Sequence, residues 1–381
     1  MLSPEIDESG PELTRPFRVL FLQRAGNAAQ MRIRPLLDLL RSQGDISGYA
    51  VVDRDMSVSG DVAEHYDVVL AHRIPSSRQI VWLRRTSPRF AYDIDDLLLP
   101  APGERLHGQR AIDAGSVAWC LANARCVSAP SQRLLATLET RLGAGFGERS
   151  RLIPNAGAEE PPPVKKFAKP RLLWASSAAL PVSDDILSAC KGIDAALCAI
   201  DTDIVLVGRF APGVLDQFTR SEYVPWLPPE LYRRLLAAGP FVGVRPLPMD
   251  LSPEMQTFIG CKSDIRAAEY GSNRIAAVYS AVPPYTESDL PCCIAPTNSA
   301  GDWQKSILAV AEGFPRGGND LAEHPAFAAR RPSTIALQFL NTLARARVAQ
   351  ERPVGFRALP TPRVFRNLER GFRSLRSRLS R

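Results

Sequence analysis

Three groups of residues in this chain have types and spacings that could do chemistry. The first is Lys262-Ser263-Asp264-Ile265-Arg266-Ala267-Ala268-Glu269-Tyr270, preceded by Gly260-Cys261 and followed by Gly271. Read as one helix starting beside Lys262 and ending at the glycine, it exposes N–H groups and a partial positive charge that suit a phosphate. One face then carries Lys262, Arg266 and, a turn on, Glu269 and Tyr270. A carboxylate at Glu269 can accept two hydrogen bonds from sugar hydroxyls. The second group is Asp93, Asp95 and Asp96 after the apolar Phe90-Ala91-Tyr92. Asp-x-Asp at a strand end suits a divalent metal on a diphosphate, or Asp95 could polarise an incoming hydroxyl. The third is His72-Arg73 at the end of another apolar run, with Arg32 and Arg34 near the N-terminus. These arginines divide between phosphate contact and plain solvation.

The elements that must position these residues follow from hydrophobic periodicity. Residues 17–22, 66–71, 90–92, 126–129 and 151–153 read as buried strands, with helical patterns over 31–40 and 131–142. The stretch 158–170, Ala-Glu-Glu-Pro-Pro-Pro-Val-Lys-Lys-Phe-Ala-Lys-Pro, reads as an extended linker. Strand patterns restart at 171–175 and recur at 203–208, 241–244, 276–279 and 293–295, with a helix over 303–313. Strands alternating with helices imply parallel sheets, and two such halves predict a cleft where strand C-terminal ends face each other. Gly143-Ala144-Gly145-Phe146-Gly147 follows a helix and is expected to open none, so it reads as a turn, not a dinucleotide loop.

At 381 residues the chain suits two domains, and 45% hydrophobic with 23% charged content is ordinary for a globular protein. No apolar run is long enough to span a bilayer, and the acidic N-terminus shows no secretory leader, so a cytoplasmic location is expected. The seven cysteines lack paired CxxC spacing and read mostly as small buried hydrophobes. Residues 363–381 hold seven arginines against one glutamate, so six of the net +7 charges belong to this tail. Phe365, Leu368, Phe372, Leu375 and Leu379 recur there at helical steps. That pattern fits a basic amphipathic helix on an anionic lipid surface. With the charge confined to one segment and no accompanying motif, nucleic acid is not an expected partner.

The ordered set of these landmarks resembles the retaining GT-B glycosyltransferases of the large bacterial group that builds surface polysaccharides. The resemblance covers roughly residues 17–315. It rests on the opening unit 17–40 with Arg32 and Arg34, the strand ending at His72, Tyr92-Asp93-Ile94-Asp95-Asp96 and Ile153-Pro154-Asn155. Pro246-Leu247, the Lys262–Glu269 segment and Asp302-Trp303 complete it. Two features depart from the family pattern. Cys261 stands where the first of two carboxylates belongs, and Trp174-Ala175-Ser176-Ser177-Ala178 replaces a Gly-Arg…Lys phosphate clamp.

The resemblance implies an α/β fold of two Rossmann-like domains, 17–160 and 171–330. They lie between a flexible N-terminus (1–16) and C-terminal helices with the basic tail (331–381). It implies transfer of a sugar, with retention, from a nucleoside diphosphate to a glycan or lipid-linked acceptor. Lys262, Ser263, Glu269 and Ser176 would bind the donor, and His72 and Asp95 would be catalytic. Arg32, Arg73, Asp93 and Asp96 are further cleft candidates. No cofactor is expected, and a divalent metal, which the Asp93-x-Asp95 spacing allows, is not expected either. The alternative is a catalytically silent relative that binds a nucleotide sugar or a partner as a scaffold. A Rossmann oxidoreductase is disfavoured, because neither half opens with a Gly-rich turn.

Overall fold

The computed structural model describes residues 16–23, 27–53, 56, 58, 60–86, 89–100, 111–143, 145–163, 169–177, 182–314 and 316–348. The expected N-terminal arm up to residue 15 and the basic tail 363–381 lie outside the described residues. Among the described residues no helix is long and apolar enough to cross a membrane.

The chain forms two compact units. The first takes the described residues up to Ala29, those from Leu36 to Ile153, and those from Ala336 onward. Its sheet contains β1 (Phe17–Gln23), β2 (Ile46–Asp53), β3 (Val68–His72), β4 (Phe90–Asp93), β5 (Cys126–Ala129) and β6 (Ser150–Leu152). The order is β2-β1-β3-β4-β5-β6 and every pairing is parallel. Central strands β3, β4 and β5 are buried along their whole length, which is why they read as continuous apolar runs. The expected helix over 31–40 is two helices, α1 (Asn27–Arg32) and α2 (Arg34–Gln43). Helices α3 (Ser77–Thr86), α4 (Ala111–Asn123), α5 (Gln132–Leu142) and α6 (Phe146–Arg149) follow. Ser131 caps α5 by accepting from the Leu134 amide. The glycine-rich segment after α5 does open a helix, contrary to expectation: Gly145, at φ 88°, precedes the single turn of α6.

The second unit takes residues 30–35 and 154–335. Its sheet contains β7 (Arg171–Ser176), β8 (Ile204–Gly208), β9 (Ser221–Val224), β10 (Phe241–Arg245), β11 (Ala277–Ser280) and β12 (Cys293–Ala295). All pairings are parallel in the order β12-β11-β10-β7-β8-β9. Alternate strand residues feed two cores. Leu172, Trp174, Leu206 and Val244 pack against α7 (Asp184–Ile200) and α13 (Ala300–Glu312). Leu173, Ala175, Val205 and Ala277 meet α9 (Pro229–Ala238), α10 (Pro253–Gly260) and α11 (Ile265–Ser272), with α8 (Pro212–Leu215) and α12 (Pro283–Thr286) short connectors.

The units divide at Ile153/Pro154, ahead of the proline-rich stretch expected as the boundary, of which 164–168 lie outside the described residues. After α14 (Arg316–Ala322) and α15 (Pro325–Ala328), α16 (Pro332–Val348) passes from the second unit into the first. There Arg347 lies 3.8 Å from Asp67 and over the Phe17 ring. Ile335, Phe339, Leu343 and Ala346 give α16 its buried stripe.

Candidate functional site

In the second sheet the chain runs from β7 outward to β9, then crosses back to β10 on the other side of β7. The gap between the C-terminal ends of β7 and β10 is therefore a topological switch point, where open α/β sheets bind ligands. Helix α11 is anchored beside it by Tyr270. The Tyr270 hydroxyl accepts from the Ala175 amide at 3.2 Å. Its ring lies where a side chain on Gly243 would be: a Cβ there would come within 2.6 Å of Tyr270 Cδ2. Only glycine allows this approach.

Glu269, next to Tyr270, is consequently held on the inner side of α11, only 7% exposed. Arg266 Nη1 donates to its Oε2, and the Tyr232 hydroxyl of α9 donates to the same oxygen at 3.3 Å. Arg266 Nη1 also donates to that hydroxyl at 2.7 Å. Burial alone would lower the Arg266 pKa, but the Glu269 carboxylate outweighs it and the pKa is raised. Burial, followed by the Glu269 charge, pushes the Tyr232 phenol well above its ordinary value, although Arg266 opposes the shift. Glu269 is thus a carboxylate with a fixed orientation, not a solvated helix residue.

The segment before it differs from the expected single helix. Helix α10 ends at Gly260 with Cys261 as its cap, and α11 begins only at Ile265 after Asp264. Lys262 and Ser263 occupy the junction. The Lys262 amide donates to Ile259, and its Nζ lies 4.5 Å from the Phe258 ring centroid. Asp264 makes no cap bond to its own helix. Its carboxylate accepts from Ser288 Oγ at 2.7 Å and pairs with Arg330 at 2.9 Å. Cys261, in the first carboxylate's expected place, is fully buried.

Ser176 ends β7 and is 3% exposed. Its hydroxyl accepts from Arg245 Nη1 at 3.2 Å. Gly208, at φ 109°, lets the end of β8 come so close that a Cβ would lie 1.9 Å from the Ser176 carbonyl. Arg245, the last residue of β10, is absent from the sequence-derived candidates, since an arginine closing an apolar strand reads as ordinary solvation. Beyond it, Asp185 Oδ2 accepts from the Met249 amide at 2.7 Å and from Asn298 Nδ2 at 2.8 Å. Asn298 in turn receives the Ser280 hydroxyl and the Trp303 indole N–H. This network fixes the loops after β10, β11 and β12.

Arg32, grouped with the second unit, is 4% exposed and donates to Asn155 Oδ1 at 3.2 Å and the Pro154 carbonyl at 3.5 Å. Of the two readings of Arg32, plain solvation does not hold: the side chain is buried and tied to the Ile153-Pro154-Asn155 segment.

In the first unit, His72 and Asp93 end neighbouring strands and are paired in register. Both are fully buried, with His72 Nε2 3.6 Å from Asp93 Oδ1, and Ser128 Oγ donates to Asp93 Oδ2 at 2.6 Å. Arg73 adopts a left-handed backbone, φ 55°, fixed by its amide donating to the Asp93 carbonyl and its carbonyl accepting from the Tyr92 hydroxyl. Its guanidinium then reaches Asp95 Oδ2 at 2.9 Å and Asp96 Oδ2 at 3.0 Å. Burial opposes the protonated form, but the two carboxylates outweigh it and raise the Arg73 pKa. The structure therefore brings His72, Arg73, Asp93, Asp95 and Asp96 together at one strand-end cluster. Among the described residues no group of three or more histidines, cysteines and carboxylates is arranged to hold a metal ion.

No protein-family model matches the sequence, and no curated protein matches it either. Solved structures share its fold. HepE from Anabaena, in complex with UDP and glucose, superposes with a TM-score of 0.56 at 14% identity, over 86% of this chain and 99% of that one. A glycosyltransferase from Rickettsia africae gives 0.60 at 10% identity, over 88% and 100%. UDP-GlcNAc 2-epimerase from Neisseria meningitidis, bound to UDP-GlcNAc, gives 0.52 at 12% identity, over 85% and 99%. The fold expected from the sequence, GT-B with two Rossmann-like parallel-sheet domains, is the fold observed.

Proposed function

We propose that this chain is a glycosyltransferase that moves a sugar from a nucleoside diphosphate to a growing surface glycan. The observation that carries this reading is Glu269, held rigidly by Arg266 and Tyr232 on a helix packed at the switch point of the second sheet. A fixed carboxylate can accept both ribose hydroxyls of a nucleotide, and pre-orientation lowers the entropy lost on binding. Lys262, Ser263 and Ser176 would meet the phosphates, where positive charge stabilises the departing nucleoside diphosphate. In the first unit, Asp95 would polarise the acceptor hydroxyl, with Arg73 setting its orientation, and His72 would support the strand end through Asp93. Transfer with retention needs no enzymic nucleophile, since attack and departure can share one face of the sugar through an ion-pair-like path.

The glycosyltransferases among the structural neighbours support this reading at the level of fold, as do the landmarks in the sequence. The basic amphipathic pattern of residues 363–381 supports a lipid-linked acceptor at an anionic membrane surface. A thermal-shift screen of nucleotide sugars, followed by product analysis with the stabilising donor, tests the proposal. Stabilisation by no nucleotide sugar would refute it.

Cys261 favours one second reading. With a buried thiol where the family places a carboxylate beside the donor sugar, the chain could bind a nucleotide sugar and leave it intact. Donor binding without transfer or hydrolysis would establish that reading.

A further inference from the structure

Arg245 stands out among the second unit's cations. It closes β10 directly beside the end of β7, so it borders the switch point on one side as Ser176 does on the other. Its partners among the described residues are neutral: Nη1 donates to Ser176 Oγ at 3.2 Å, and the guanidinium also interacts with the Tyr285 phenol. Its Nε is buried and has no acceptor among the described residues. Among the described residues no carboxylate pairs with it, whereas Arg73, Arg171, Arg266 and Arg330 each have at least one.

A partly buried cation with no carboxylate paired to it costs folding free energy. Buried Tyr285 does not relieve it, since burial pushes its phenol up to about 12 and it stays neutral at ordinary pH. The planar fork of arginine matches two oxygens of one phosphate, and Nε is one of the donors used in such pairing.

We propose that Arg245, with Ser176 beside it, forms the anion subsite of this unit. It would take the diphosphate of a nucleoside diphosphate and supply the charge that the missing Gly-Arg…Lys clamp would otherwise provide. The nucleotide as ligand rests on the sugar-transfer reading; the anion subsite itself does not.

The test uses the full chain, as wild type, Arg245→Met and Arg245→Lys, titrated with inorganic pyrophosphate and with UDP and GDP by calorimetry. Loss of a charge-assisted bidentate contact should weaken pyrophosphate and the recognised nucleotide by roughly 10- to 100-fold in R245M. R245K should recover part of that, since it restores the charge without the fork. Without ligand, R245M should melt at or above the wild-type temperature, because an uncompensated charge has been removed. A purely structural arginine would instead lower the melting temperature and leave affinity unchanged, which would overturn the proposal. Pyrophosphate binding that survives R245M belongs to other cations, such as the tail, and also overturns it, as does no binding at all. Arg245-dependent pyrophosphate binding with no affinity for any nucleotide sugar would keep the subsite and remove the sugar-transfer reading. Nucleotide-sugar binding indifferent to R245M would do the reverse.

Discussion

Glu269 and Arg266 form a nearly buried pair, 9% and 16% exposed at their side chains, and replacing either strands its partner. Breaking a buried pair by removing one member costs about 3–5 kcal/mol. Glu269→Gln keeps an acceptor for the Tyr232 hydroxyl but leaves Arg266 without its counter-charge, so about 3 kcal/mol is expected. For a unit of this size that corresponds to a melting temperature roughly 6–12 °C lower. Arg266→Met should cost a similar amount, because it leaves the carboxylate stranded. The double variant R266M/E269Q removes both charges together, and a buried pair replaced as a whole is often nearly neutral. It should melt within about 1 kcal/mol of wild type, giving a coupling energy above roughly 2 kcal/mol in a double-mutant cycle. Urea denaturation of the four proteins, followed by far-UV CD, measures this. Nucleotide binding separates stability from function: if Glu269 is the ribose acceptor proposed above, the double variant should stay folded yet bind nucleotide at least about tenfold more weakly, because position 269 is then neutral. Additive single costs would refute the buried-pair reasoning. A double variant with wild-type affinity would remove Glu269 from the site.

Asp185 supplies a pH signature. Burial alone would raise its pKa, but the Met249 amide, the Ser183 hydroxyl and the Asn298 amide outweigh it and hold it below the usual carboxylate value. A depressed folded pKa stabilises above the unfolded value, about 3.9, and that contribution fades as pH falls through the folded pKa. The stability gap between wild type and Asp185→Asn should therefore be full at pH 7 and close below about pH 4 in acid titrations; a gap constant with pH would contradict this. Arg73→Met strands Asp95 and Asp96 together and should cost about 2–4 kcal/mol, while Asp96→Asn alone should cost under about 1 kcal/mol because Asp95 still pairs; equal losses on chemical denaturation would contradict the shared role. Restoring the family carboxylate by Cys261→Glu should destabilise by about 3 kcal/mol, as it buries a charge at the C-terminal end of a helix. A stable C261E with increased turnover would show instead that position 261 faces the donor.

Much of the fold was legible because parallel strands buried on both faces appear as unbroken apolar runs, as in Val68–His72 and Ile204–Gly208. The two strands left unread, Ile46–Asp53 and Ser221–Val224, lie at sheet edges and lack the full burial of the central strands. The break at Cys261–Asp264 was invisible for a different reason. No proline marks it, and the pairing of Asp264, just ahead of α11, with Arg330 far along the chain leaves no local pattern. In the site, helix spacing correctly grouped Arg266 with Glu269, since residues three apart share a face. The Arg73–Asp95–Asp96 cluster and the place of Arg245 depend on strand register, which composition does not encode.

Helix α16 carries a consequence for biosynthesis. The first unit is completed by a segment beginning at Ala336, whose Arg347 reaches back to Asp67 and Phe17, and the whole of 154–335 is interposed in the chain. A ribosome adding about 5–20 residues per second needs roughly 10–35 s to make that insertion. Only at the end of this interval has every residue of the second unit been made, and throughout it the first waits with the surface that α16 will cover still open to solvent. Chaperone dependence and premature-termination damage should therefore concentrate on the half of the protein that is synthesised first.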